Sequence, residues 1–264
     1  MPRKLGQHFL KDRRKLEKIA AALEIGPRDT IVEIGPGHGE LTEHLVAMNP
    51  KRVIVIEKDP RLVNFLKEKF QIIGTKSQNI EIVEGDILKI LPTLHSKFEI
   101  RNSKLVGNIP YYITGYLLRK ISELEKKPRL IVFTIQKEVA ERICTSPPKM
   151  NLLATSVQFW GTPKLVGYIS KKFFRPPPKV DSAIIKITPN KKQPNQKNAE
   201  KYYRFIRILF KQPRKTILNN LREGFKLPQK EIEERLKTLR VSPKSRPANL
   251  SMSDINKLSA IFPQ

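Results

Sequence analysis

Three glycines stand at alternate positions in Glu33-Ile34-Gly35-Pro36-Gly37-His38-Gly39-Glu40. With no Cβ in the way, such a backbone can turn tightly and approach a ligand closely. The helix expected after it adds unpaired N–H groups at its start. Gly35 and Gly37 fit the first two positions of a G-x-G-x-x-G dinucleotide loop, but the third is Glu40 and the extra glycine is Gly39. That spacing disfavours a pyrophosphate ligand, and with it a nicotinamide dehydrogenase. A plain tight turn would use the same glycines. Two carboxylates follow at the ends of later apolar runs. Glu57 comes about 20 residues past the glycines, where a carboxylate can accept both hydroxyls of a ribose. Asp86 is placed to accept from an adenine amine, and equally to cap the next helix. A further apolar run closes on Asn108-Ile109-Pro110-Tyr111, an amide, a stiff turn and a ring in sequence.

These residues need a scaffold that brings strand ends together. Continuous apolar runs predict strands at Thr30–Ile34, Arg52–Glu57, Ile80–Glu84, Lys104–Gly107, Arg129–Ile135, Lys164–Ile169 and Val180–Ile187. Helical patterns lie between them, at Arg13–Glu24, Glu40–Met48, Arg61–Phe70, Gly115–Leu124, Lys137–Ile143 and Asn151–Trp160. The alternation predicts a doubly wound, mostly parallel sheet of seven strands, with one of the last two antiparallel. Glu57, Asp86 and the glycine loop then share the carboxyl edge of that sheet, where such folds bind ligands. Residues 190–198 are polar and broken by proline, and read as a linker. Beyond it only helical patterns occur, at Ala199–Gln212, Arg214–Glu223, Gln229–Leu239 and Met252–Ile261. The expected organisation is a sheet domain over 1–189 and a small all-helical domain over 199–264.

The chain has 264 residues and a formal charge of +26, from 51 Lys and Arg against 25 Asp and Glu. Basic residues outnumber acidic ones two to one, so pairing cannot absorb them, and a polyanion such as nucleic acid is the expected partner. The density is highest in residues 190–264, with 18 basic and 6 acidic residues. One cysteine, Cys144, excludes a disulfide framework. The histidines, His8, His38, His44 and His95, show no ligand spacing, so no metal site is expected. No apolar run is long enough for a membrane span. The start, Met1 to His8, lacks a signal core, so the expected location is the cytoplasm.

The motifs resemble known ones. Glu33–Gly39 resembles the S-adenosylmethionine loop of class I methyltransferases, which have a Rossmann-like sheet. Asn108–Tyr111 resembles the (Asn/Asp)-Pro-Pro-(Tyr/Phe) signature of enzymes that methylate exocyclic amines of bases. The chemistry suits these residue types. An adenine amine is a poor nucleophile because its lone pair is delocalised into the ring. The Asn108 side-chain carbonyl and the Ile109 backbone carbonyl can accept its two N–H hydrogens, favouring a pyramidal nitrogen. Pro110 removes a competing donor and stiffens the turn. Tyr111 can stack on an unstacked base. Tyr112 reads as a core tyrosine behind the turn.

Five segments occur in one order: Gly6–Leu10, Glu33–Gly39, Asn108–Tyr111, Phe174–Ser182 and Gln212–Leu221. Together they resemble the ribosomal RNA adenine dimethyltransferase family over nearly the whole chain. The resemblance implies that His8 and Leu10 close over the cofactor, S-adenosylmethionine. Gly35 would contact its methionine part, with Gly37 beside it, Glu57 its ribose and Asp86 its adenine. Asn108 would border the cofactor and hold the target amine. Tyr111 and Phe174 would sandwich the target adenine, with the Pro176–Pro178 run holding Phe174 rigid. It further implies two methyl groups on each of two adjacent adenosines near the 3′ end of small-subunit ribosomal RNA, late in subunit assembly; a monomer is the expected form, since the partner is a large RNA surface. Two other readings use the same scaffold: a large-subunit enzyme of the macrolide-resistance type, and a non-catalytic RNA-binding assembly factor. The Phe174–Ser182 and Arg214–Leu221 segments favour the small-subunit family.

In the tail, Lys201, Arg204, Arg207 and Lys211 fall on one helical face, opposite Tyr202, Phe205, Ile206 and Leu209. Pro213 ends that helix and can open the next, starting with Arg214 and Lys215. These six cations suit phosphate contacts, although a solvated charged face has the same pattern.

Overall fold

The computed structural model describes residues 7–72, 79–93, 103–191 and 196–262. Met1–Gly6 and His95 therefore lie outside the described residues. The chain forms two compact units, Met1–Ala140 with Pro163–Pro189 and Glu141–Thr162 with Asn190–Gln264.

The first unit carries strands β2 (Thr30–Ile34), β3 (Arg52–Glu57), β4 (Ile80–Glu84), β5 (Ser103–Asn108), β6 (Leu130–Gln136), β7 (Gly161–Ile169) from Pro163 onward, and β9 (Ser182–Pro189). They form one seven-stranded sheet in the order β4-β3-β2-β5-β6-β9-β7. Pairing is parallel from β4 to β6, and β9 runs antiparallel to β6. Val53, Val55, Leu105, Val106, Ile131 and Val132 are fully buried, because helices cover both faces. The chain builds β2, β3 and β4 outward in one direction. It then returns to place β5 on the other side of β2. A crevice opens at the carboxyl ends of strands where order reverses in this way. Register puts Ile34 opposite Gly107, so the residues that follow, Gly35 and Asn108, emerge side by side.

Among the elements that escaped the periodicity are two short strands. Strand β1 (Phe9–Leu10) pairs antiparallel with β8 (Phe174–Arg175) in a separate two-stranded sheet. Two-residue strands are too short to show alternation. Helix α1 (Arg13–Ala22) follows, capped by Asp12, whose carboxylate accepts from Lys15 N at 3.0 Å. Helices α2 (Glu40–Ala47), α3 (Pro60–Ile72), α4 (Ile87–Ile90) and α5 (Thr114–Glu123) connect successive strands.

The second unit holds α7 (Leu152–Gln158), α8 (Gln196–Leu209), α9 (Ile217–Phe225), α10 (Gln229–Thr238) and α11 (Met252–Ile261), after α6 (Lys137–Ile143). Its core contains Tyr202, Phe205, Ile206, Leu209, Ile217, Leu221, Ile232, Leu236, Ile255 and Leu258. Residues 141–162, expected within the sheet domain, pack here instead. Phe159 stacks on Tyr202 with ring centroids 3.6 Å apart, and Tyr202 donates to the Thr155 carbonyl. Helix α8 also starts at Gln196, inside the expected linker. Arg214 and Lys215 do not open a helix. Thr216 caps α9 by accepting from Asn219 N, so both cations sit in the preceding turn.

Candidate functional site

The glycine loop leaves β2 with φ of +63° at Gly35, +61° at Gly37 and +83° at Gly39, a region L side chains rarely adopt. A Cβ on Gly37 would lie 2.7 Å from the Phe9 ring. A Cβ on Gly35 would meet nothing within 4 Å. Gly37 is therefore closed over by β1, while Gly35 borders open space. That space is one cavity lined by Gly35, Gly37, Glu57, Asp86, Asn108, Ile109, Pro110, Tyr111, His8 and Phe174.

Glu57 is 4% exposed. Burial pushes its carboxyl pKa up, while the N–H groups of Asp59 (2.9 Å), Lys58 (2.8 Å) and Gly37 (3.4 Å) pull it down. The net shift is upward, with Asp59 repulsion adding to burial. Those donors fix the orientation of the group against the glycine loop. Glu33 lies behind the loop, 1% exposed, accepting from Thr42 Oγ1 at 2.7 Å. Burial, helped by Glu40 and Glu57, raises its pKa to about 8, so it is neutral at pH 7.

Asp86 takes the helix-cap position that the sequence offered, at the cavity edge. Its Oδ1 caps α4 by accepting from Leu88 N at 3.0 Å, and the residue also lines the cavity. Its Oδ2 accepts from Lys58 Nζ at 2.8 Å. Burial opposes the charge, but the bonds from Lys58 and Leu88 and the nearby Lys58 and Lys89 charges outweigh it and lower the pKa.

Asn108 ends β5. Its Nδ2 donates to the His8 carbonyl at 2.7 Å, and Oδ1 receives no hydrogen bond among the described residues. His8 Nδ1 donates in turn to the Pro176 carbonyl at 2.8 Å. One histidine thus ties together three segments far apart in the chain. The Ile109 N–H donates to the Thr134 carbonyl at 3.0 Å, which holds the turn to β6. Tyr111 hydroxyl and Ser182 Oγ are 2.8 Å apart. Burial raises the phenol pKa, with Asp181 adding to the shift and the Ser182 bond opposing it, so the ring stays neutral.

Four placements differ from the sequence reading or exceed it. Leu10 does not line the cavity; it is 4% exposed and packs with Leu16, Ile19 and Phe174 in the core. Neighbouring residues of a strand face opposite ways, so Phe9 takes the cavity side instead. Phe174 lines the cavity with only 1% of its surface exposed, the rest covered by that core. Tyr112 is 67% exposed rather than buried. Anchoring Tyr111 on Ser182 turns the next side chain outward. Lys58 also joins the lining, and its place directly after Glu57 was the available signal.

On α8, Arg204 and Arg207 are exposed, with no acidic partner among the described residues. Lys211 and Lys215 share Glu223, at 2.8 and 3.9 Å. Arg214 is exposed, and Lys201 half-buried. Among the described residues no His, Cys, Asp or Glu group could hold a metal. Nor is any described helix long and apolar enough to cross a membrane.

A family model described as ribosomal RNA adenine dimethylase matches residues 1–264. The ribosomal RNA small subunit methyltransferase A of Dehalococcoides mccartyi is 38% identical over 263 residues, covering 98% of this chain and 87% of that protein. A dimethyladenosine transferase from Plasmodium falciparum superposes with a TM-score of 0.78 at 28% identity, over 95% of this chain and 96% of the other. The 23S rRNA methyltransferase ErmE superposes at 0.74 with 25% identity, over 96% and 98%.

Proposed function

The chain belongs to the ribosomal RNA adenine dimethylase family, and we propose that it transfers methyl groups from S-adenosylmethionine to the exocyclic amines of two adjacent adenosines near the 3′ end of small-subunit ribosomal RNA. The observation that carries this reading is a single cavity shared by Gly35, Glu57 and Asn108. The cofactor supplies a methyl group already activated by a sulfonium, so neither metal nor covalent enzyme intermediate is needed.

The lining fits that cofactor. Gly35 leaves room where any side chain would intrude. Glu57, held by three backbone N–H groups, faces the ribose hydroxyls as a preset acceptor. Asp86 accepts from the adenine amine; each carboxylate oxygen has two lone pairs, so the Leu88 and Lys58 bonds leave capacity. His8 and Phe9 close the loop side. At the target end, the fixed Nδ2 of Asn108 leaves Oδ1 to accept one N–H of the amine, and the Ile109 carbonyl accepts the other. Pro110 stiffens the turn, and Tyr111 stacks on the base, with Phe174 contributing from beneath the core surface. Alignment and electrostatics then supply the rate.

We assign RNA positioning to Lys201, Arg204, Arg207, Lys211, Arg214 and Lys215 of the helical region, an assembling small subunit as the partner, a monomer as the working form and the cytoplasm as the location. Incubation with labelled cofactor and under-methylated small subunits is expected to give dimethyladenosine at two adjacent positions, mapped by primer extension. Methylation of large-subunit RNA instead would favour the macrolide-resistance reading, which the likeness to ErmE keeps in view. Subunit binding without product would favour an assembly factor.

A further inference from the structure

Two large rings stand in solvent beside the cavity. Tyr112 is 67% exposed and Tyr116 51% exposed. Tyr112 belongs to the 3-10 turn Tyr111–Ile113, which runs directly into α5. Across this continuous helical run, positions 112, 116 and 120 are four apart and share one face. The burial pattern agrees: Thr114, Leu117, Leu118 and Ile121 are buried, and the opposite face is open. Lys120 Nζ lies 5.5 Å from the centre of the Tyr116 ring, and Arg119 stands in the same turn. Glu123 pairs with both cations, leaving a net positive charge on this stretch. The face begins at the cavity itself, since Tyr112 is both lining and rim.

Resting on the function proposed above, we propose that Tyr112 and Tyr116 form a stacking platform for the unpaired nucleotide next to the adenosine held in the cavity. A base drawn out of its stack leaves its neighbour without a partner on one side. Exposed rings flanked by Lys and Arg are what single-stranded RNA recognition uses, with stacking on the base and charge on the phosphate. A protein partner would call for a broader apolar surface, whereas here the rings are bordered by Arg119, Lys120 and Glu123. The platform fixes which adenosine enters the cavity by holding its neighbour.

The test compares full-length Tyr112→Ala, Tyr116→Ala, Tyr112→Phe and Tyr116→Phe proteins acting on under-methylated small subunits at saturating cofactor. Each alanine variant is expected to raise KM for the subunit about fivefold to a hundredfold. The phenylalanine variants stay within twofold of wild type, because stacking needs the ring and not the hydroxyl. Cofactor Kd, read by calorimetry, stays unchanged for Tyr116→Ala, whose ring lies outside the cavity lining. A second measurement does not depend on turnover. Small-subunit RNA carrying 2-aminopurine beside the target adenosines should be quenched by wild-type protein and not by the alanine variants. Alanine variants with wild-type KM and quenching overturn the proposal. So does an alanine effect confined to cofactor Kd, which would make Tyr112 a cofactor cover. Absence of methylation by wild type would count against the function proposed above, while quenching would still decide the platform.

Discussion

Asn108 shows how a residue's role depends on what already holds it. With Nδ2 committed to the His8 carbonyl, the side chain cannot flip, and Oδ1 is the atom presented. Asn108→Ala is expected to cut single-turnover methyl transfer by about a hundredfold or more. Its stability cost should be near that of one hydrogen bond, about 1 kcal/mol, by thermal melting. Equal loss of transfer and of folding would instead make the residue a structural tie. Glu33 gives a different signal. Its folded pKa of about 8 exceeds the ordinary 4.5, so the folded chain holds a proton that the unfolded chain has released. Its stabilising contribution is full below pH 4.5 and is lost as pH rises through about 8. Glu33→Gln stays neutral throughout. Its melting temperature should therefore fall roughly 5 °C less than that of wild type between pH 6 and 9.

At the scale of elements, the loop after β2 and the two-residue strand β1 work as a pair. Gly35 and Gly37 both have positive φ, so alanine at either strains the backbone by about 1 kcal/mol. They differ in what the new methyl meets. Gly37→Ala collides with Phe9 and should displace β1, lowering melting temperature and weakening the cofactor. Gly35→Ala has free space and should lower melting only by that backbone strain, less than Gly37→Ala does, while abolishing cofactor binding, because that space is the cavity. Calorimetry with S-adenosylmethionine, run beside melting curves, separates the two. Similar melting losses for both would mean that the loop responds as one strained unit.

For the whole molecule, a charge of +26 makes RNA affinity depend on salt. The structure ranks the cations of α8 and of the turn that follows it. Arg204 and Arg207 have no acidic partner among the described residues, whereas Lys211 and Lys215 share Glu223. Removing both arginines should reduce the slope of log affinity against log salt by about 1.5 to 2. Removing Lys215 should change it less, because Glu223 already offsets part of its charge. Filter binding of small-subunit RNA across a salt series measures both. A larger effect from Lys215 would put the RNA path on the turn before α9 instead.

The sequence by itself determined the sheet order's raw material, the glycine loop, the acidic strand ends and the Asn108–Tyr111 turn. These are local properties: unbroken β-branched runs, glycine at positive φ, and residues adjacent in the chain. The seven strands lie within about three residues of where periodicity puts them. Tertiary structure decided what depends on distant partners. The side of β1 that faces the cavity, and so the exchange of Leu10 for Phe9, follows from pairing with β8 some 165 residues away. The outward turn of Tyr112 follows from Ser182 holding its neighbour. Residues 141–162 join the helical unit because a second core offers their apolar faces a better burial than their chain neighbours do. Hydrophobic burial is blind to sequence distance, so a pattern can say that a face is apolar but not what will cover it.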